Sequence, residues 1–177
     1  MNETTFKAWP KINRPKNNTI TITEKIDGTN ACVIVENGEI IGVQSRNRMI
    51  KVGDDNMGFA SFVDTNKKDI VNLGDGYHYG EWAGPDIQKN PHKLEVKTFF
   101  LFNVFRPQES LPDCVKVVPM LYHGPSSEKE INATYCDLWE SAAAENYTPE
   151  GLIVYYHESK SYLKYTYANK EGKWNYE

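Results

Sequence analysis

A chain of 177 residues that is 40% hydrophobic and 12% aromatic can bury its own core and is too apolar to be a disordered one. No apolar run approaches the roughly 20 residues that cross a bilayer, and the opening MNETTFKAWPKINRPKNN lacks the apolar stretch of a secretory signal, so the expectation is a cytoplasmic protein with no membrane partner. The net charge of −4 is uneven: residues 1–51 hold eight Lys+Arg against five Asp+Glu, and residues 52–177 hold twelve against nineteen, which leaves a basic N-terminal part able to meet phosphate.

In chain order, the strand signals are Thr19–Glu24, then Asn30–Val35 and Glu39–Ser45 on either side of the Glu36-Asn37-Gly38 turn. A helical pattern at Phe59–Asn72 carries apolar residues at Phe59, Phe62, Val63, Ile70 and Val71. Strands follow at Tyr77–Trp82 and Thr98–Phe105. A second helix is expected at Ala133–Glu145, with Asn132 or Thr134 as N-cap and Leu138, Trp139, Ala142 and Ala143 on its apolar side. Gly151–Tyr156 and Tyr162–Tyr167 close the series as strands. The reading is one α+β domain of antiparallel β-sheet with a few helices, spanning 1–177 without a linker or a second domain.

Cys32, Cys114 and Cys136 are odd in number and lack C-x-x-C spacing, and His78, His92, His123 and His157 are scattered. Both facts argue against a disulfide framework and a structural zinc site. Gly74-Asp75-Gly76 lacks the lysine of a phosphate-binding loop.

Lys25 ends the first apolar run, two residues before Asp27-Gly28. That dipeptide favours a turn, because glycine accepts positive φ and aspartate bonds back to the chain. A lysine so placed is either a solvated surface charge or a nucleophile at the mouth of a pocket. As a nucleophile it must lose its proton, against a reference pKa near ~10.4, which burial and neighbouring positive charge assist.

The residues that follow separate these readings. Lys25-Ile26-Asp27-Gly28-Thr29-Asn30 is followed by Ser45-Arg46 and then Tyr79-Gly80-Glu81-Trp82. After these come Phe100-Leu101-Phe102-Asn103-Val104, Pro149-Glu150-Gly151-Leu152-Ile153-Val154 and Tyr162-Leu163-Lys164-Tyr165. Six motifs in this order, from about Lys7 to Tyr167, resemble the covalent nucleotidyltransferases: ATP-dependent DNA ligases, RNA ligases and mRNA capping enzymes. Asn30 at the fifth position after the lysine is similar to the RNA ligase branch, in its small phage-like form.

The resemblance implies a nucleotidyltransferase (ATP-grasp-like ligase) catalytic domain without an OB-fold, acting in RNA repair from a host cytoplasm, with ATP and Mg²⁺ or Mn²⁺. Lys25 would take AMP from ATP as a lysyl-AMP and pass it to an RNA 5′-phosphate, and a 3′-hydroxyl would then displace it. Two carboxylates are assigned: Glu81 would accept from the ribose hydroxyls and Glu150 would hold the metal. Phe102, or alternatively Phe100, would stack on adenine, although Asn103 stands where the family often has Asp. Lys164 would hold the α-phosphate. Many ligases carry a second lysine beside it, and here Tyr162, Thr166 or Lys160 takes that place. Glu24, Ile26, Asn30 and Arg46 complete the nucleotide-binding set, with Arg48 and Lys51 on a cationic rim and Pro10-Lys11-Ile12 closing over the nucleotide. The substrate implied is RNA with 5′-phosphate and 3′-hydroxyl ends, with no obligate protein partner. The alternatives are a DNA nick ligase, a capping guanylyltransferase, or a non-catalytic nucleotide- or RNA-binding module.

Overall fold

A computed structural model describes residues 18–167, so the Pro10-Lys11-Ile12 segment lies outside the described residues. Ten strands form two sheets. Four of them, β10 (Ser161–Thr166), β9 (Gly151–Tyr156), β1 (Thr19–Glu24) and β8 (Met120–Pro125), make an antiparallel sheet in that order. The six-stranded sheet runs β4 (Met49–Ile50), β3 (Glu39–Ser45), β2 (Thr29–Glu36), β5 (Gly76–Ala83), β6 (Thr98–Leu101) and β7 (Val115–Val117). Its last pair, β6 with β7, is parallel.

Each sheet buries one face under helices. Ile20, Ile22, Leu152 and Val154 of the smaller sheet pack with Ile131 and Leu138 of α3 (Glu128–Ala144). Ala31, Val33, Trp82, Phe99 and Leu101 of the larger sheet pack under Phe59 and Val63 of α1 (Phe59–Thr65) and Ile70 of α2 (Lys67–Ile70). Side chains alternate along a strand, so the opposite faces are left to one another. They meet through Ile26, Ala83, Phe100 and Val118, and Phe105 reaches across to His123 and His157.

The expected strands at Thr19–Glu24, Glu39–Ser45 and Gly151–Tyr156 have those bounds in the structure. The hairpin turn uses Asn37 and Gly38 at φ 53° and 73°, a left-handed pair whose N–H groups both bond to the Asp75 carboxylate.

Two helices and one strand differ from expectation. The run Phe59–Asn72 breaks at Asn66, whose own amide Nδ2 takes the Phe62 carbonyl at 2.8 Å and ends α1. α3 begins five residues earlier than Ala133, because Ser127 Oγ accepts from Glu130 N and Glu128 and Glu130 favour the helix's positive end. Neither Asn132 nor Thr134 caps it; the Thr134 hydroxyl donates to the Glu130 carbonyl instead. β6 stops at Leu101, short of Phe105, where Phe102–Arg106 turns on bonds from Val104 N to Phe102 O and from Arg106 N to Asn103 O. β4, β7 and β8 were not expected.

Candidate active site

The site is built where β1 ends between its neighbours. Glu24 N donates to the Pro119 carbonyl and Lys25 N to that of Gly151, which carries the strand one residue past its assigned end. Alternation turns Ile20 and Ile22 toward α3 and Lys25 toward the larger sheet. There its Nζ lies 2.5 Å from Glu150 Oε1, both side chains being about a quarter exposed, at 24% and 30%. Gly151 lets Glu150 sit so close: its φ is 147°, and a Cβ there would collide with the Tyr165 carbonyl.

Asp27 and Gly28 act otherwise than as a self-closed turn. The Asp27 carboxylate accepts from Lys89 N at 3.1 Å. Gly28 is absent from the left-handed residues; it is needed because a Cβ would lie 2.5 Å from the Trp82 carbonyl and 2.9 Å from the Glu81 side chain. The requirement is closeness of backbone to strand, not φ.

The larger sheet contributes a row. Asn30 stands opposite Glu81, and Glu81 opposite Phe100. Arg46 Nε donates to Asn30 Oδ1 at 2.7 Å, and Asn30 Nδ2 donates to Glu81 Oε2 at 2.8 Å. Burial pushes the Glu81 carboxyl up to about 7; Lys25 opposes that shift, Glu150 adds to it, and Asn30 and Arg46 oppose it. Lys25, Glu81 and Glu150 are therefore one electrostatic group, although they come from both sheets.

Phe100 is 7% exposed in the packing between the sheets, whereas Phe102 is 46% exposed. Phe102 N bonds to the Tyr79 carbonyl, two residues along β5 from Glu81. Of the two candidate rings, only Phe102 offers a free face.

On the smaller sheet, Thr23, Ile153 and Lys164 are opposite one another in a second row. Among the described residues Lys164 makes no ion pair. Thr166 lies opposite Gly151, in the row of Lys25. Tyr162 is two positions beyond Lys164 from Lys25 and packs on Tyr155, ring centroids 4.6 Å apart. Lys160 sits in the β9–β10 turn, six residues and roughly 20 Å from Thr166 along the strand direction. The partner position nearest Lys25 is thus a hydroxyl, and Lys164 is the only cation on β10.

The side chains of Glu24 and Ile26, both expected in the nucleotide-binding set, are buried, which leaves their backbone to face the groove. Glu24 is 5% exposed and points to the α3 side of β1, where His92 Nε2 and Tyr147 OH both donate to its Oε1. Ile26 is 5% exposed within the inter-sheet packing. Arg48 is taken up by the Asp54 carboxylate at 2.9 Å and by the Asp54 and Asp55 carbonyls, and Lys51 pairs with Asp54 through the backbone. These contacts tie Arg48 to the segment that follows β4.

Glu150 Oε2 is buried and has no hydrogen-bond partner among the described residues, and a second carboxylate oxygen so placed fits a hard cation. Among the described residues no group of three or more His, Cys, Asp or Glu could hold a metal. This donor set suits an ion such as Mg²⁺, which takes one or two protein carboxylates and otherwise waters and phosphate.

A family model described as RNA ligase matches residues 18–166. No curated protein matches the chain. Among solved structures, a mutant Naegleria gruberi RNA ligase with ATP and Mn superposes at TM-score 0.63 and 22% identity, covering 85% of this chain and 50% of that one. Another mutant of that ligase, with AMP and Mn, gives 0.60 and 20% over the same shares, and an apo mutant gives 0.60 and 23%, again over 85% and 50%. The likeness is one of fold, and the chain spans about half the length of these structures.

Proposed function

The chain belongs to the RNA ligase family, and on that premise we propose that it is an ATP-dependent RNA ligase whose nucleophile is Lys25. The observation that carries this reading is the Lys25–Glu150 contact of 2.5 Å with Glu81 in its field, a nucleophile and two carboxylates that a binding module has no physical need to assemble. We read the matched region as a single adenylyltransferase domain acting in the cytoplasm, on RNA with a 5′-phosphate and a 3′-hydroxyl and without an obligate protein partner. Among the described residues, no helix is long and apolar enough to cross a membrane.

In the first step the Lys25 amine attacks the α-phosphorus of ATP; a P–N bond forms, the P–O bond to pyrophosphate breaks, and the amine loses a proton. The RNA 5′-phosphate then attacks that phosphorus and releases Lys25, and the 3′-hydroxyl attacks the activated 5′-phosphorus and releases AMP. Splitting one displacement into easier ones is the benefit of a covalent intermediate.

Glu150 holds the Lys25 side chain in place before nucleotide arrives. Glu150 would hold a divalent cation, which would supply positive charge for the departing pyrophosphate. Glu81, aimed by Asn30 and Arg46, accepts from the ribose hydroxyls. Phe102 stacks on the base, and Lys164 steadies the α-phosphate where negative charge accumulates.

Intact mass of the protein after incubation with ATP and Mg²⁺, beside Lys25→Ala, tests the reading. An increment equal to AMP that is absent from the variant supports it. No increment, with the starting protein free of AMP, overturns it, and an increment from GTP alone would mean capping chemistry.

A further inference from the structure

The Glu24 carboxylate next to the nucleophile is 5% exposed, and a carboxylate so buried must be compensated. His92 Nε2 and Tyr147 OH do so, at 2.7 and 3.1 Å, both on Oε1. The two rings pack on one another, centroids 4.6 Å apart. They arrive from different places. His92 belongs to the 84–97 loop, which joins β5, with Glu81, to β6; Tyr147 belongs to the 145–150 loop, which ends at Glu150.

Further bonds tie the same pieces. Lys93 Nζ donates to the Asn146 carbonyl at 2.6 Å and Lys89 N to Asp27 at 3.1 Å. The 84–97 loop therefore grips both flanks of Lys25 and the segment that carries Glu150. Its backbone is committed to this shape: Asp86, Gln88, Asn90 and Lys93 all have φ between 45° and 63°, a conformation that non-glycine residues keep only where surroundings over-determine it. Asn90 closes the turn from within, its side chain bonding both the N–H and the carbonyl of Leu94.

We propose that His92 is a positioning residue for the Lys25 chemistry. With Tyr147 it locks Glu24, and through Glu24 it sets the backbone at Lys25 and the approach of Glu150, so that the amine and the carboxylate start in register. The proposal rests on Lys25 being the nucleophile. It adds a residue outside the expected nucleotide-binding set.

The test uses the full chain with His92→Phe, which keeps a ring against Tyr147 and loses the donor, and His92→Gln, which restores an N–H. Single-turnover AMP transfer to Lys25 is followed across ATP concentrations, with thermal melting alongside. The saturated rate should fall on the order of 10- to 100-fold in His92→Phe, the cost of a small misplacement of reacting groups, with the ATP dependence unchanged and much of the rate regained in His92→Gln. A folded His92→Phe with an unaltered saturated rate, or a His92→Gln no better than it, would overturn the proposal. If His92→Phe does not fold, Tyr147→Phe removes the other donor and is read in the same way.

A second readout needs no ligase activity: competitive acetylation of Lys25 against Lys160 in nucleotide-free protein. Loosening of the Lys25–Glu150 contact should raise the Lys25 share in His92→Phe, and an unchanged share counts against the clamp. Absence of AMP transfer in the wild type would instead remove the proposed function, while the acetylation ratio still decides whether His92 sets the position of Lys25.

Discussion

Glu81, on the larger sheet, and Glu150, just before β9 of the smaller one, meet around Lys25: burial pushes the Glu81 carboxyl up to about 7, Lys25, 2.5 Å from Glu150, opposes that shift, and Glu150 adds to it.

Stability should depend on pH through Glu81. The Glu81 pKa is raised from 4.5 to about 7 in the folded protein, so the folded state holds this proton more tightly than the unfolded chain does. The stabilisation that follows is complete below pH ~4.5 and is lost as pH rises through ~7. A shift of this size corresponds to about 3 kcal/mol. Glu81→Gln keeps an acceptor for Asn30 and removes the titration. Melting of the two proteins across this window should show the variant gaining on the wild type as pH rises, and parallel curves would contradict the assignment.

At Glu150, activity and stability should part. The Lys25–Glu150 pair is a quarter to a third exposed, a setting in which ion pairs contribute about 0–1 kcal/mol. Glu150→Gln should melt within that range of the wild type, yet transfer AMP to Lys25 on the order of 10²–10³-fold more slowly, the usual loss when a group that stabilises transition-state charge is removed. Labelled-AMP transfer and melting on one preparation check both halves.

Adding a second cation to β10, which carries only Lys164, gives a gain-of-function test. Thr166 lies opposite Gly151, in the row of Lys25, while Tyr162 is farther away against Tyr155. Thr166→Lys should speed AMP transfer up to about tenfold by adding charge near the α-phosphate, and Tyr162→Lys should not. Equal effects would show that register does not govern this position.

Much of this geometry is legible in the residues and some of it is not. Lys25, Glu81, Glu150 and Lys164 are named by the resemblance of their motifs to the covalent nucleotidyltransferases, and three strands have their bounds because turn residues punctuate them. Ser127 was legible too: Ser-x-x-Glu at 127–130 is a capping pattern that the weaker Asn132 and Thr134 signals displaced. β8 was not, because Met120–Pro125 ends in Gly-Pro and becomes a strand only by pairing with β1. The face on which Glu24 lies depends on which side α3 packs. His92 and Tyr147 are 68 and 123 residues from it, and no local pattern reports contacts that only the tertiary fold makes.

Phe100 and Phe102 were both candidates for the adenine ring, and their alanine variants should fail in opposite ways. Both lie on the groove side of β6 and its extension, two residues apart, so alternation alone cannot separate them. Burial does. Phe100, at 7% exposure, packs with Ile26, Ala83 and Val118, and truncating a ring there costs about 3–5 kcal/mol. Phe102, at 46%, has little packing to lose. If its exposed face meets the base, the loss is stacking, about 1–3 kcal/mol, or roughly 5- to 150-fold weaker ATP binding. Phe102→Ala should therefore melt like the wild type and require more ATP for half-maximal AMP transfer. Phe100→Ala should melt early and, in whatever fraction remains folded, bind ATP nearly as before. The reverse pattern would move the stacking ring to Phe100 and require the packing between the sheets to open when nucleotide binds.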